Sequence, residues 1–145
     1  MKKKSSEMVK GLKILLVEDN FMNKLIVKEI LEDYGMLVVI ASNGQEALEL
    51  FSKSNIHEFD AVLMDMVMPV MDGREATRLI RALKREDALT VPIVSMSAET
   101  CDADEKLSRE SGITAFMTKP ITPEIMLKVI SDEVKKNKNV FMKNK

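Results

Sequence analysis

The segment from residue 61 to 65 is a short apolar run, Ala-Val-Leu-Met, that ends in a single carboxylate, Asp65. An apolar run of this length is typical of a strand buried on both faces of a parallel sheet. Pro69 follows four residues later and predicts a turn. We therefore expect Asp65 to lie where a core strand reaches the surface. Because a carboxylate at the edge of a core is costly unless it is paired or binds a cation, this position predicts a partner for Asp65.

Four further apolar runs predict four more strands, at residues 12–17, 37–41, 91–96 and 114–118. Helical spacing of apolar residues, or a capping residue followed by such spacing, fills the intervals between strands and follows the last one. Alternation of five strands with five helices predicts an α/β fold, a single parallel sheet with helices on both faces. The predicted helices run from Asn20 to about Asp33, from Asn43, from Asp72, over 100–111 and from Thr122.

Two segments are predicted to differ from this regular pattern. Residues 100–111 carry few apolar side chains, so we expect a mobile helix with few buried contacts. Residues 84–90 are mostly charged and predict a surface loop. At the ends, we expect a flexible leader over 1–11 and a basic tail over 136–145, with one folded domain over 12–135.

The composition excludes several classes of protein. The 145 residues suit one domain, and no apolar run approaches the roughly 18 residues of a membrane span. A single cysteine, Cys101, excludes an internal disulfide and favours a reduced, cytoplasmic location. Lysines concentrate at both ends and leave an acidic body, which argues against a nucleic-acid partner.

Charged or hydroxyl side chains follow four of the five predicted strands. They are Glu18 and Asp19 after the first strand, Asp65 in the third, Ser97 after the fourth and Lys119 after the fifth. The carboxyl ends of parallel strands meet at one edge of the sheet, where ligands bind. Three carboxylates there predict a Mg²⁺ site, because Mg²⁺ prefers oxygen ligands.

The same set of side chains is suited to phosphoryl transfer. A carboxylate such as Asp65 can attack phosphorus and form an aspartyl phosphate. Lys119 would offset charge on the phosphoryl group, and Ser97 would donate a hydrogen bond to one of its oxygens.

Four motifs in chain order carry a family resemblance. They are Val17-Glu18-Asp19-Asn20, residues 63–69 with Met71-Asp72-Gly73, Ser95-Met96-Ser97-Ala98, and Met117-Thr118-Lys119-Pro120. With these motifs the chain resembles the receiver domain of response regulators, the phosphoacceptor of two-component signalling. The turn after Asp65 is most similar to receivers attached to hybrid histidine kinases. The resemblance covers residues 12–135 and implies a flavodoxin-like strand order, 2-1-3-4-5.

The resemblance also implies roles for the strand-end residues. Asp65 would take the phosphoryl group from a phosphohistidine on a histidine kinase or phosphotransfer protein. Glu18, Asp19, Asp65 and the main-chain carbonyl of Val67 would bind Mg²⁺. Glu18 is one methylene longer than the aspartate more common in the family.

A conformational switch is implied as well. Lys119 would pair with the phosphoryl group, Ser97 would move towards it, and Phe116 would turn inward as a packing switch without a tyrosine hydroxyl. An output partner would bind the last two helices and the fifth strand. We expect a monomer without membrane contact, either a module of a hybrid histidine kinase or a stand-alone response regulator. It would be no turnover enzyme, although it would assist its own phosphorylation and dephosphorylation.

Three alternative functions remain open from the residues. A Mg²⁺ phosphatase of the haloacid dehalogenase type also uses a strand-end aspartate, but it needs a second aspartate where this chain has Val67. A scaffold that keeps the fold without being phosphorylated is the second alternative. Dinucleotide or flavin binding is the third, and it lacks support because Glu18-Asp19-Asn20 replaces a glycine-rich first turn.

Overall fold

A computed structural model describes residues 7–97, 102–118 and 121–143. Its five strands form one parallel sheet in the order β2-β1-β3-β4-β5, which confirms the predicted fold and strand order. The strands are β1 Lys13–Val17, β2 Leu37–Ala41, β3 Ala61–Asp65, β4 Ile93–Ser97 and β5 Ala115–Thr118. The α-helices are α1 Phe21–Asp33, α2 Gly44–Lys53, α3 Gly73–Arg81, α4 Asp102–Ser111 and α5 Pro123–Lys143.

Four helices begin at the capping residues that the sequence predicts. A side-chain oxygen of each cap accepts a hydrogen bond from a backbone N–H three residues later, which satisfies a donor of the first turn. These bonds run from Asn23 to Asn20, from Glu46 to Asn43, from Glu75 to Asp72 and from Ile125 to Thr122, at 2.8–3.2 Å. Local sequence therefore fixes where each helix leaves the sheet edge.

The sheet separates two hydrophobic clusters. The first lies under α1 and α5, where Leu31 and Ile130 pack against Leu16 and Leu63. The second lies under α2 and α3, where Phe51 and Ile80 pack against Val62 and Met64. Neighbouring residues of β3 thus point into different clusters, as expected of a strand covered on both faces.

Only part of the apolar surface of α1 packs on the sheet. Val27 and Leu31 are its buried residues, whereas Met22, Leu25 and Ile26 are exposed. The helix is apolar on two faces, and periodicity alone cannot tell which of them packs on the sheet. An apolar face of α1 therefore remains at the surface.

The prediction of a surface loop over 84–90 is wrong in its centre. Glu86–Ala88 form a short 3-10 helix, in which Asp87 and Ala88 are buried. Asp87 is charged yet inside because Arg85 pairs with it at 2.6 Å. A charged segment can thus be buried when its charges are paired within it.

Two observations concern the ends of the domain, whose predicted bounds stay a prediction. Val9, within the predicted leader, is fully buried in the first cluster. Helix α5 continues to Lys143, through most of the predicted tail. No helix in the described part of the chain is long and apolar enough to cross a membrane.

Candidate functional site

Three carboxylates meet at the carboxyl edge of the sheet, and we call Glu18, Asp19 and Asp65 the acidic cluster. Strands β1 and β3 are neighbours, with Val17 paired to Met64, so their ends lie side by side. One carboxylate oxygen from each residue lies within 4.8 Å of the others. Glu18 is 1% exposed and Asp65 is 6% exposed, whereas Asp19 is exposed. Charges of one sign are thus gathered in a largely buried place.

The backbone after each strand turns an N–H towards the cluster. The Val67 N–H donates to Oδ1 of Asp65 at 3.2 Å. The Asn20 N–H donates to Oε2 of Glu18 at 3.4 Å. These bonds limit the rotation of the two carboxylates.

Gly73 allows α3 to begin in direct contact with the end of β3. A Cβ at this position would lie 2.3 Å from the Asp65 carbonyl oxygen and 2.9 Å from the Met66 Cα, so no larger residue fits. The Gly73 N–H donates to the Met66 carbonyl at 3.3 Å. The start of the turn after Asp65 is therefore fixed by a close backbone contact with the start of α3.

The same turn contains a strained residue. Val70 has a φ of 69°, a left-handed conformation that a β-branched side chain rarely adopts. Its side chain and that of Val67 are 83% and 82% exposed. Strain of this kind costs about 1–3 kcal/mol and clusters at functional sites.

The donor set of the acidic cluster fits a hard divalent cation. All three donors are carboxylate oxygens, and two of them belong to nearly buried side chains. It is costly to hold three carboxylates within 4.8 Å of one another when two of them are nearly buried, and a divalent cation offsets that cost. Val67 follows Asp65 by two residues, and its main-chain carbonyl as a further ligand stays a prediction.

The remaining predicted site residues lie on the next two strands. β4 ends at Ser97, which pairs with Thr118 of β5, and Met96 pairs with Asp65. The Ser97 side chain and the whole of Lys119 lie outside the described residues. Lys119 directly follows Thr118, the last residue of β5. β4 and β5 therefore end at the edge that carries the acidic cluster, and the place of the Lys119 side chain there stays a prediction.

Phe116 lies in β5 and is half-buried against the second cluster. The guanidinium carbon of Arg109, from α4, lies 4.7 Å from the centre of its ring. Sequence reasoning did not single out Arg109, because an exposed basic residue on a helix carries no signal of a ring contact in another element. It also saw Gly73 only as a turn residue, since its closeness to Asp65 depends on tertiary packing.

Comparison with known proteins decides the family. The chain matches the model of the response regulator receiver domain over residues 14–131. It belongs to this family. The receiver is 35% identical over 124 residues to hybrid signal transduction histidine kinase I of Dictyostelium discoideum, across 84% of this chain. That match covers only 7% of the Dictyostelium protein, so the chain spans a small part of such relatives.

Solved structures show the same fold. The receiver domain of sensor histidine kinase PA1611 from Pseudomonas aeruginosa, with magnesium coordinated in its active-site cleft, is 30% identical with a TM-score of 0.77. The match covers 86% of this receiver and 98% of that chain. Chemotaxis protein CheY4 of Vibrio cholerae is also 30% identical with a TM-score of 0.77, over 84% of this receiver and 98% of that chain. The protein is thus a receiver of two-component phosphorelay signalling, which confirms the predicted family and function.

Proposed function

We propose that Asp65 accepts a phosphoryl group from a phosphohistidine on a histidine kinase or phosphotransfer protein, in a Mg²⁺-dependent reaction. The main support is the acidic cluster, in which Asp65 lies among carboxylate oxygens within 4.8 Å at the carboxyl edge of the sheet. The similarity to hybrid kinases supports a role as a receiver module of such a protein in the cytoplasm.

Glu18, Asp19 and Asp65, with the Val67 carbonyl, would hold the Mg²⁺. Bound there, Mg²⁺ supplies positive charge that offsets the carboxylates and the oxygens of the incoming phosphoryl group. The donor set supports this assignment because Mg²⁺ is held in proteins by carboxylate oxygens and phosphate oxygens.

The residues of the chain would orient the groups that react. A carboxylate oxygen of Asp65 attacks phosphorus, a P–O bond forms, and the P–N bond to the donor imidazole breaks with the electron pair on nitrogen. The Val67 N–H holds the Asp65 carboxylate in one orientation. Lys119 would neutralise charge on the phosphoryl oxygens, and Ser97 would donate a hydrogen bond to one of them. Positioning and charge are most of what phosphoryl transfer requires.

The exposed face of α1 supports docking of an apolar partner surface beside Asp65. The helix begins two residues after Asp19, and its first turns expose Phe21, Met22, Leu25 and Ile26. A contiguous apolar face at the surface of a soluble domain is typical of a protein contact. The output partner is proposed for α4, β5 and α5, the elements beside Phe116.

The test is incorporation of phosphate from a small acyl phosphate, acetyl phosphate, with Mg²⁺. We expect one phosphoryl group per chain that is labile in acid and in base, as for an acyl phosphate, and its loss in Asp65→Asn or after chelation of Mg²⁺. Asp72→Asn is the matched control, because Asp72 lies in the same turn but caps α3. Incorporation that survives Asp65→Asn contradicts the proposal.

Two other outcomes separate the alternatives. Continuous release of phosphate from an aryl phosphoester would indicate a phosphatase, with Asp65 as its nucleophile. Absence of any Mg²⁺-dependent phosphate incorporation in the wild-type chain would indicate a scaffold. The proposal requires one turnover per Asp65 without sustained hydrolysis of phosphoesters.

A further inference from the structure

The ring of Phe116 has contacts on two sides. Its inner side packs against the second hydrophobic cluster, and the Arg109 guanidinium lies 4.7 Å from the ring centre. This distance is within the ~6 Å over which a cation is attracted to an aromatic face. Arg109 and Phe116 come from different elements, so their contact joins α4 to β5.

Arg109 has one ion-pair partner on its own helix, and the turn that follows the helix is fixed separately. Glu105, one turn earlier in α4, accepts from Nη2 of Arg109 at 3.5 Å. The turn that follows α4 is fixed by Arg81, whose Nη2 and Nε donate to the Gly112 carbonyl at 2.8 and 3.1 Å. Burial lowers the pKa of Arg81 to about 10, which leaves it charged at neutral pH. The end of α4 is therefore anchored three residues beyond Arg109.

Over residues 105–111, α4 buries little of its side-chain surface. Between residues 105 and 111, Ser108 is the one buried side chain in the described part of the helix, and Leu107 is exposed. Helix position usually depends on burial of an apolar face. In this part of α4, the Arg109 contact joins the helix to the Phe116 ring.

We propose that Arg109 is a positioning residue that holds the Phe116 ring in its half-buried position, so that inward movement of the ring requires the guanidinium contact to break. The inference rests on the proposed function and on the switching role that the family resemblance implies for Phe116. It makes Arg109 a determinant of how readily the receiver changes conformation, without a direct role for Arg109 in phosphoryl transfer.

The chain allows a direct measurement of ring position, because it contains no tryptophan. Phe116→Trp places a single tryptophan at the ring, and acrylamide quenching of its fluorescence reports accessibility. In this background, without a phosphodonor, we expect Arg109→Gln to shift the ring inward by about twofold to fivefold in population, as for loss of an exposed cation–π contact. Quenching should therefore weaken and the emission should move to the blue.

The sign of the change distinguishes positioning from simple coverage. If Arg109 only covers the ring, its removal exposes the tryptophan and quenching becomes stronger, which overturns the proposal. An unchanged quenching constant also overturns it. Glu105→Gln should give a smaller change in the same direction as Arg109→Gln. Lys28→Gln, which removes a positive charge from an exposed side chain of α1 that pairs with Glu32, should give none.

A second measurement uses the native phenylalanine in case the tryptophan disturbs packing. The chain contains five phenylalanines, so 4-fluorophenylalanine labelling gives five ¹⁹F signals, and Phe116→Leu assigns the one that matters. We expect Arg109→Gln to move this signal while the other four stay in place. A Phe116 signal that does not move contradicts the positioning role.

The response to acetyl phosphate and Mg²⁺ separates this inference from the proposed function. In the tryptophan background, Arg109→Gln should lower the half-maximal concentration of acetyl phosphate by about twofold to fivefold. Asp65→Asn should abolish that response but leave the donor-free effect of Arg109→Gln intact. A donor-free effect without any response to acetyl phosphate would count against the proposed function only, and the reverse result would count against Arg109 only.

Discussion

The two edges of the sheet differ in how their charged side chains are arranged. At the carboxyl edge, the acidic cluster gathers three carboxylates within 4.8 Å. At the amino edge, before β3 and β4, Arg85 and Asp87 form a buried ion pair through two N–O contacts of 2.6 and 3.0 Å. The His57 N–H adds a hydrogen bond of 2.8 Å to Asp87. Three carboxylates thus lie together where chemistry is proposed, and a carboxylate paired with a guanidinium stabilises the fold at the other edge.

The amino-edge pair also joins parts of the chain that are distant in sequence. Arg85 donates to the carbonyls of Phe51 and Asn55 at 2.6 and 2.9 Å and stacks over the Phe51 ring. It therefore caps the carboxyl end of α2 while Asp87 satisfies its charge. The comparison shows that burial alone does not reveal the role of a carboxylate. Its neighbours decide whether it stabilises the fold or binds a ligand.

The largest effect is expected from Gly73→Ala at the carboxyl edge. The added Cβ would lie 2.3 Å from the Asp65 carbonyl oxygen, and backbone on both sides would have to move. We expect a loss of about 3 kcal/mol in the free energy of unfolding, measured by urea denaturation, together with slower phosphate incorporation. Gly11→Ala is the control, because it meets nothing within 4 Å and costs only about 1 kcal/mol for its left-handed backbone. Equal losses in the two variants would mean that the close approach at Gly73 is not tight.

Asp87→Ala should produce the next largest effect, at the amino edge. It removes the carboxylate that pairs with buried Arg85, which still keeps its carbonyl acceptors. We expect the free energy of unfolding, measured by urea denaturation, to fall by about 2 kcal/mol. This is less than for a buried charge that loses all its partners. Phosphate incorporation by the folded protein should be unchanged, because the pair lies at the far edge from Asp65.

Glu86→Ala is the matched control for Asp87. Glu86 lies next to Asp87 in the chain but is exposed, and its carboxylate is 3.6 Å from the His57 ring. We expect its removal to change stability by less than about 0.5 kcal/mol. A similar loss in both variants would show that general charge, and not the buried pair, stabilises this edge.

Asp65→Asn should change the free energy of unfolding in the opposite direction from Asp87→Ala. It removes one charge from the acidic cluster yet keeps an oxygen that can accept from the Val67 N–H. Without divalent cations we expect a gain of about 1 kcal/mol in unfolding free energy, from relief of like-charge repulsion. Added Mg²⁺ should stabilise the wild type more than the variant. A less stable variant in chelator would contradict the view that repulsion dominates this edge.

The carboxyl edge was far easier to predict from sequence than the amino edge. Strand ends are visible as the last residue of an apolar run, and parallel topology then brings Glu18 and Asp65 together. The family resemblance adds specific roles for the same positions. The capped starts of four helices were equally visible, because a capping side chain and the backbone N–H that donates to it lie three residues apart.

The amino edge depends on contacts that no local pattern encodes. Arg85 reaches Phe51, 34 residues away, and His57 reaches Asp87 across 30 residues. Sequence alone presents residues 84–90 as charged and therefore exposed. The exposed face of α1 was missed for a related reason, since both of its faces are apolar. Periodicity identifies an apolar face, but tertiary packing decides which face is covered.

The smallest effect is expected in the pH dependence of the amino-edge pair. Burial opposes ionisation of Asp87, but hydrogen bonds from Arg85 and His57 outweigh it and hold the pKa below the ordinary 3.8. The folded chain therefore binds fewer protons than the unfolded chain in this range, so the stabilisation is present above the ordinary pKa. It is lost as the pH falls through the lower, folded value.

Comparison of the wild type with Asp87→Asn by urea denaturation, from about pH 6 to about pH 3, measures this effect. The difference in unfolding free energy should be constant near neutral pH and should shrink at the acid end. It should also stay smaller than the loss in Asp87→Ala, because asparagine keeps an acceptor for the His57 N–H. Other carboxylates with lowered pKa, such as Glu58 beside Lys13, titrate in both chains and cancel in the difference. If the difference grows on acidification, the ionised Asp87 carboxylate destabilises the folded chain. That result would remove the contrast with the acidic cluster.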